Sequence, residues 1–276
     1  MKTIVVPTDL TPITDRALSV AVGLARTYQA EISLLHSVVY PLSELVYAET
    51  LTMAAGRSTV ATYEHLEQDA LSTLQRFAHN PAYVGVTITP VMITNGQPPA
   101  QEIAKHPADL IVMTSEGASG WDEWLIGSNA EVVVRYACCP VLVIKDPVEP
   151  FKPENIVCAV DVDDRLKDIH HHPFQMGERG LHQFLYVITP TDDRDPEGVR
   201  DWVNGFAQAR GIAKFDFIMR PAKSVPEGII RYAKDVQADL IVLYTNGNKG
   251  LLHFLMGSVA EDVLNHARMP VLIMRV

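Results

Sequence analysis

The sequence predicts an α/β protein built twice: two doubly wound, mostly parallel five-stranded sheets in tandem. Three observations carry that prediction. Ala108–Met113, Gly127-Ser128 with Ala130-Glu131, and Pro140–Ile144 return as Ala238–Leu243, Gly257-Ser258 with Ala260-Glu261, and Pro270–Met274, each displaced by 130 residues. One offset shared by a strand, a loop, a helix and a second strand marks a duplicated domain. Short apolar runs alternate with amphipathic stretches, the pattern of parallel βαβ units. Finally, 276 residues, 47% hydrophobic and 20% charged, suit two globular domains that each bury a core.

In chain order, Ile4–Val6 reads as a short buried strand ending at Pro7-Thr8-Asp9. A helix follows from about Thr14, where Leu18, Ala21, Val22 and Ala25 recur at helical spacing. Ile32–Leu35 is the second strand, and Val39 to Gly56 has no period. Tyr63, Leu66, Ala70, Leu74 and Phe77 form one stripe of a long helix. Val86–Met92 is strand-like, and Pro98-Pro99 opens a short helix that ends before Pro107. Asp109–Met113 and Val141–Ile144 are the fourth and fifth strands, joined by a loop and a helix from about Ser128 to Ala137.

Pro147, Pro150 and Pro153 make a stiff, extended linker. Domains are therefore expected at 1–146 and 154–276, with 147–153 between them. Ile156–Asp161 restarts the pattern of Ile4–Asp9 at an offset of 152, so the second domain is 22 residues shorter before its fourth strand. Gln183–Val187 and Phe215–Phe217 are strands there. Val199, Trp202, Val203 and Phe206 mark a helix opened by Pro196, and Pro226 opens another. Asp164–Ile169, stopped by His170-His171-His172-Pro173, makes a poor first helix.

Composition narrows the function. Net charge is −10, with eight basic against fourteen acidic residues up to Lys145 and fifteen against nineteen beyond it. Neither half offers a basic surface for nucleic acid, no Lys/Arg run fits a membrane-surface helix, and no apolar run would span a bilayer. The start lacks a signal-peptide pattern, and three cysteines are too few for a disulfide framework or zinc site. A reducing cytoplasm is the expected location. Cys138-Cys139, where a helix feeds the last strand of the first domain, are expected to be buried.

Ligands of doubly wound sheets bind beyond the carboxyl ends of the strands, where strand order reverses. That puts Pro7-Thr8-Asp9, His36-Ser37 and the loop after Met113 on one rim. The loop reads Thr114-Ser115-Glu116-Gly117, nine residues, Gly127-Ser128; its repeat reads Tyr244-Thr245-Asn246-Gly247, nine residues, Gly257-Ser258. Gly117 and Gly247 let the backbone approach a ligand closely. Helices opening at Ser128 and Ser258 offer unpaired N–H groups and a positive dipole end to an anion such as a phosphate. The same serines, and Asp9 and Asp161, also suit simple helix caps. Trp121 and Trp124 are expected to pack across the domain interface. His170–His172, near Asp161, Asp163 and Asp164, are expected to be a solvated helix end, so no metal site is expected. No Gly-x-Ser-x-Gly elbow, Walker loop, His-Glu-x-x-His or Cys-x-x-Cys is present, so no enzyme is expected.

These segments resemble the universal stress protein family. Val6–Asp9, Leu34-Leu35-His36, Ala108–Met113, Gly127-Ser128 and Pro140–Val143 carry the similarity, which covers nearly all of 2–145 and most of 154–276. The whole chain looks like a tandem member, with the adenine-nucleotide-hydrolase-like fold. In the ATP-binding branch of that family the loop reads Gly-x-x-Gly-x9-Gly-Ser/Thr. The resemblance implies ATP or another adenine nucleotide in the first domain, with Mg2+ a candidate companion. Pro7, Asp9, the backbone near Ser37, and Met113 belong to that site; Thr114, Gly117, Gly127, Ser128 and Asn129 would line its ribose–phosphate end. The matched positions in the second domain are Asp161, Val187, Tyr244, Gly247, Gly257, Ser258 and Val259.

Both halves depart from the pattern at its first glycine, as Thr114 and Tyr244. Tyr244 either fills the ribose volume or folds onto the sheet rim, leaving an anion site beside Lys249 and His253. The first is favoured, because Ala159 also replaces Pro7 in that half. Asp122 and Glu123 would repel phosphates if they faced the first site. The implied function is stress-response signalling by binding, not turnover; a scaffold without nucleotide and a weak ATP hydrolase are the alternatives. The two domains are expected to pack as an internal pseudo-dimer through their last strands, with a further homodimer as another partner and neither nucleic acid nor membrane.

Overall fold

The computed structural model describes residues 1–38, 53–94, 96–115, 127–147, 150–164, 166, 173, 181–245 and 258–275. The first half runs β1 (Thr3–Pro7), α1 (Thr14–Tyr28), β2 (Glu31–Ser37), α2 (Met53–Ala78), β3 (Ile88–Ile93), α3 (Pro99–Lys105), β4 (Leu110–Thr114), α4 (Ser128–Tyr136) and β5 (Val141–Ile144). The second runs β6 (Asn155–Ala159), β7 (Leu181–Ile188), α5 (Pro196–Ala209), β8 (Phe215–Pro221), α6 (Val225–Asp235), β9 (Leu240–Thr245), α7 (Ser258–His266) and β10 (Val271–Arg275).

The ten strands form one sheet in the order β3-β2-β1-β4-β5-β10-β9-β6-β7-β8. Pairing is parallel within each half. The halves meet at a single antiparallel seam, where Val141, Leu142 and Val143 of β5 face Ile273, Leu272 and Val271 of β10. The two five-stranded sheets are thus the halves of one continuous sheet. Across the seam Lys145 Nζ donates to the carbonyl of Asn265 at 2.6 Å; within the first half Arg16 Nη1 donates to the carbonyl of Lys145 at 2.9 Å.

Strands with near-continuous apolar runs need cover on both faces. In β1, Ile4 and Val6 enter the core beneath α1, α2 and α5, while Val5 enters the core beneath α3, α4, α6 and α7. Each repeated Ala-Asp has a structural duty. Asp109 Oδ2 accepts from the backbone N–H groups of Lys2 and Thr3 at 2.5 and 3.0 Å. Asp239 Oδ2 accepts from those of Glu154 and Asn155 at 3.0 and 2.9 Å. Each aspartate ties the start of a half's first strand to its fourth, and the two N–H bonds hold the Asp109 carboxyl below the usual carboxylate range.

Two expectations need correction. Leu66 does not share the buried stripe of α2: Ala70, Leu74 and Phe77 are buried, but Leu66 is 53% exposed. A helix of 26 residues is about 39 Å long, whereas a six-residue strand such as β3 runs about 20 Å. The sheet ends before the helix does, so a correct period does not guarantee a surface to pack on. Cys138 is exposed and Cys139 half-buried, because they form the turn into β5 and Ala137 takes the buried position. The expected first helix of the second half, Asp164–Ile169, lies mostly outside the described residues; of its positions Leu166 is buried and gives its carbonyl to Arg210.

Candidate functional site

In each half the strand order reverses between the first and fourth strands, so β1 and β4 frame the first crevice. The turn leaving β1 is tightly built. Thr8 N donates to the Leu35 carbonyl at 2.9 Å, and the Thr8 and Thr14 hydroxyls meet at 2.7 Å in a buried pair. Leu10 N donates to Thr8 Oγ1 at 2.9 Å, holding Leu10 at φ +66°. A left-handed leucine costs on the order of 1–2 kcal/mol. Asp9 does not cap α1, whose N-cap is Ile13. It turns outward, its Oδ1 accepting from Thr11 N at 3.0 Å and Thr11 Oγ1 at 2.6 Å, and stays exposed.

Pro7 is half-buried beside it, paired with Leu35 of β2. His36 Nδ1 lies 2.9 Å from the Thr8 carbonyl. Ser37, the last residue of β2, therefore faces the other side of the sheet. Its Oγ is buried without a hydrogen-bond partner among the described residues. At the end of β4, Met113 packs into the core and Thr114 is half-buried. Gly127 N donates to the Ser115 carbonyl at 2.8 Å, which fixes the start of α4 against the end of β4. Gly127 is the N-cap, in extended conformation, and has no side chain with which to cap the helix. Ser128 and Asn129 are exposed on its first turn. Gly117 lies outside the described residues, as do Trp121, Asp122, Glu123 and Trp124.

The second rim differs around Asp161, Val187 and Tyr244, while Ser258 matches Ser128 in type and exposure. Asp161 Oδ1 accepts from Arg194 Nη1 at 2.8 Å and from Val162 N at 2.7 Å. Arg194 Nη1 also donates to the Tyr186 hydroxyl at 2.9 Å, which in turn donates to Asp192 Oδ2 at 2.6 Å. That bond to Tyr186 raises the Arg194 pKa, and the bond Asp192 accepts lowers its own. Val187 is buried, and a Cβ on Gly228 would come within 2.6 Å of its Cγ1. Ser258 is exposed at the start of α7, with Val259 half-buried behind it.

Tyr244 packs onto the sheet, while the anion site expected beside it at Gly247, Lys249 and His253 lies outside the described residues. Its ring lies on the sheet face beneath α5, edge-on to Phe206 at 5.2 Å, with the Arg210 guanidinium 5.5 Å away. Its hydroxyl bonds the Cys158 thiol, and burial pushes the phenol pKa well up. The expected block of the ribose volume by Tyr244 is therefore replaced by a packing role. Gly247, Lys249, His253, Gly257 and His170–His172 lie outside the described residues. Among the described residues, no three His, Cys, Asp or Glu side chains are placed to hold a metal, and no helix is long and apolar enough to cross a membrane.

A family model, that of the universal stress protein family, matches residues 1–145 and 206–275. The chain belongs to that family. It is 33% identical over 150 residues to universal stress protein MJ0531 of Methanocaldococcus jannaschii, covering 53% of this chain and 83% of that one. It is 24% identical over 286 residues to universal stress protein Rv2005c of Mycobacterium tuberculosis, covering 95% and 90%, so that match spans both halves. The crystal structure of a universal stress protein from Archaeoglobus fulgidus shares the fold, at a TM-score of 0.64 and 18% identity over 99% of this chain and 96% of that one. Arg194 was invisible in the sequence, since 33 residues separate it from Asp161. The Ser37 difference was visible, as serine in one repeat against Val187 in the other.

Proposed function

We propose that this universal stress protein binds an adenine nucleotide, ATP first among them, at the carboxyl-end rim of its first half, and acts in stress signalling by binding, not turnover. The reading includes the division into domains 1–146 and 154–276 with a linker at 147–153. The observation that carries it is the start of α4 at a glycine N-cap, Gly127, tied to the end of β4 on the rim that bears the outward-turned Asp9. Helix N–H groups and the positive dipole end suit phosphates, and a carboxylate on the neighbouring strand end suits ribose hydroxyls. Thr114, Gly117, Ser128 and Asn129 would complete the phosphate end; Pro7 and Met113 would shape the floor. Mg2+ would arrive with the nucleotide, because Asp9 alone is a poor cage without phosphate oxygens.

We assign the second rim no nucleotide. Asp161 is engaged by Arg194, and Val187 is packed under Gly228. Calorimetric titration of the full chain with ATP is expected to give one site per chain. Asp9→Ala should weaken it about tenfold or more, the loss of one or two charge-assisted hydrogen bonds, while Asp161→Ala leaves it unchanged. No binding up to millimolar ATP overturns the proposal.

A further inference from the structure

One corner of the sheet is built twice and carries thiols once. Between α4 and β5 the chain turns through Cys138 and Cys139; between α7 and β10 the matched residues, again 130 positions on, are Arg268 and Met269. The two corners share their backbone bonds. Ala137 N donates to the Val133 carbonyl at 2.8 Å, as Ala267 N does to Val263, and Ile111 N donates to the Pro140 carbonyl at 3.0 Å, as Ile241 N does to Pro270. Ala137 and Ala267 are both buried. The second half makes this turn without cysteine, so the fold calls for a thiol at neither position of the first. The pair stands at the amino end of β5, away from the rim assigned to the nucleotide. Cys138 is exposed and Cys139 half-buried. The two thiols act on each other: burial raises the Cys139 pKa first, and the neighbouring Cys138 next.

Three chemistries suit a pair of thiols, and geometry chooses among them. Adjacent residues have Cα atoms about 3.8 Å apart, below the roughly 4.4–6.8 Å that a disulfide usually spans, so a direct S–S bond would be strained. A structural zinc ion takes four ligands, and among the described residues no three His, Cys, Asp or Glu side chains are placed to share one. Asp109, whose charge reaches Cys139, already accepts from Lys2 and Thr3. A trivalent arsenic centre needs only two sulfurs, because it brings its own third substituent, and an atom set between the sulfurs relieves the strain of the direct bond. We propose that Cys138 and Cys139 form a bidentate site for trivalent arsenic. With an organic arsenoxide, the arsenic–oxygen bond gives way to two arsenic–sulfur bonds, the two thiol protons leave with that oxygen as water, and arsenic stays trivalent. The exposed Cys138 reacts first. Cys139, too buried to meet reagents from solution, then meets an arsenic already held beside it, an intramolecular step at high effective concentration.

The test uses phenylarsine oxide and the reduced full chain, read by intact-mass spectrometry and by titration. One arsenical should bind per chain with loss of one water, survive excess mercaptoethanol, a monothiol, and be stripped by the dithiol dimercaptopropanol. Cys138→Ser and Cys139→Ser should each bind at least about 100-fold more weakly, the advantage of two linked contacts over one, while Cys158→Ser binds as the unaltered chain does. Exchanging the corner for that of the second half, Cys138→Arg with Cys139→Met, should abolish the adduct in a chain that stays folded by circular dichroism. Unweakened binding by Cys139→Ser makes Cys138 an ordinary surface thiol and overturns the proposal. So does an adduct lost with Cys158→Ser, or no adduct on the unaltered chain.

Discussion

Gly228→Ala tests how closely α6 approaches the sheet. A Cβ at Gly228 would lie 2.6 Å from Val187 Cγ1, 2.9 Å from Val187 Cγ2 and 3.0 Å from Ala222 Cβ. Carbon atoms in comfortable contact sit about 3.5–4.0 Å apart, so roughly 1 Å must be found. Val187 cannot readily supply it. It is β-branched and stiff at χ1, and its strand β7 is held between β6 and β8. An added methyl in such a site costs about 1–3 kcal/mol. Against this stands up to about 1 kcal/mol from replacing a helical glycine with alanine. The expected outcome is a net loss of about 1–2 kcal/mol. In a Val187→Ala background the two nearest atoms are absent, so the same change should become neutral or stabilising. The coupling between the two sites should then reach about 1–3 kcal/mol, within the range for residues in contact. Urea unfolding of the four proteins, followed by far-ultraviolet circular dichroism, measures it. A Gly228→Ala protein more stable than the unaltered chain, or additive effects in the double variant, would refute the packing argument and with it the picture of Val187 as a dry filler.

Two further outcomes are expected. Of the three thiols, only exposed Cys138 should react with a thiol-labelling reagent at pH 8 in the folded chain, because burial pushes Cys139 and Cys158 up to about 12; all three should react after unfolding. Rapid labelling of two or more in the folded chain contradicts this. Asp109→Asn should destabilise the chain at pH 7, and the deficit should close in acid. The folded Asp109 carboxyl titrates below its unfolded value of about 3.9, so its stabilisation is complete above that pH and is lost as pH falls through the folded value. A deficit that stays constant from pH 7 to pH 3 counts against the two backbone hydrogen bonds as its source.

Much of the architecture was legible because it was written twice. The repeats at Ala108-Asp109 and Ala238-Asp239 located the fourth strands, and Gly127-Ser128 located the start of α4. The aspartates in those repeats anchor the first strands, a contact across 106 and 107 residues in the first half that no local pattern encodes. Leu66 kept helical period but lost its partner surface, since periodicity reports direction and not the reach of the sheet. Tyr244 departed from the family pattern, and its consequence depended on a rotamer settled by Phe206 and Arg210. At the candidate site the residue types were readable, but whether a side chain is idle or engaged was not. Asp9 and Asp161 look alike in sequence; only the fold brings Arg194 to one of them.

The seam between β5 and β10 has a consequence for how such a molecule can change. In an association of identical subunits, any substitution appears in both partners, and a self-complementary contact must tolerate it twice. Here the two facing edges, Val141–Val143 and Val271–Ile273, belong to one chain. Each can be altered while the other stays as it is. A serine and a valine, or an aspartate held by Thr11 and one paired with Arg194, can therefore stand at matched points of one sheet. Covalent continuity turns a symmetric pair into two separately editable surfaces on a common frame.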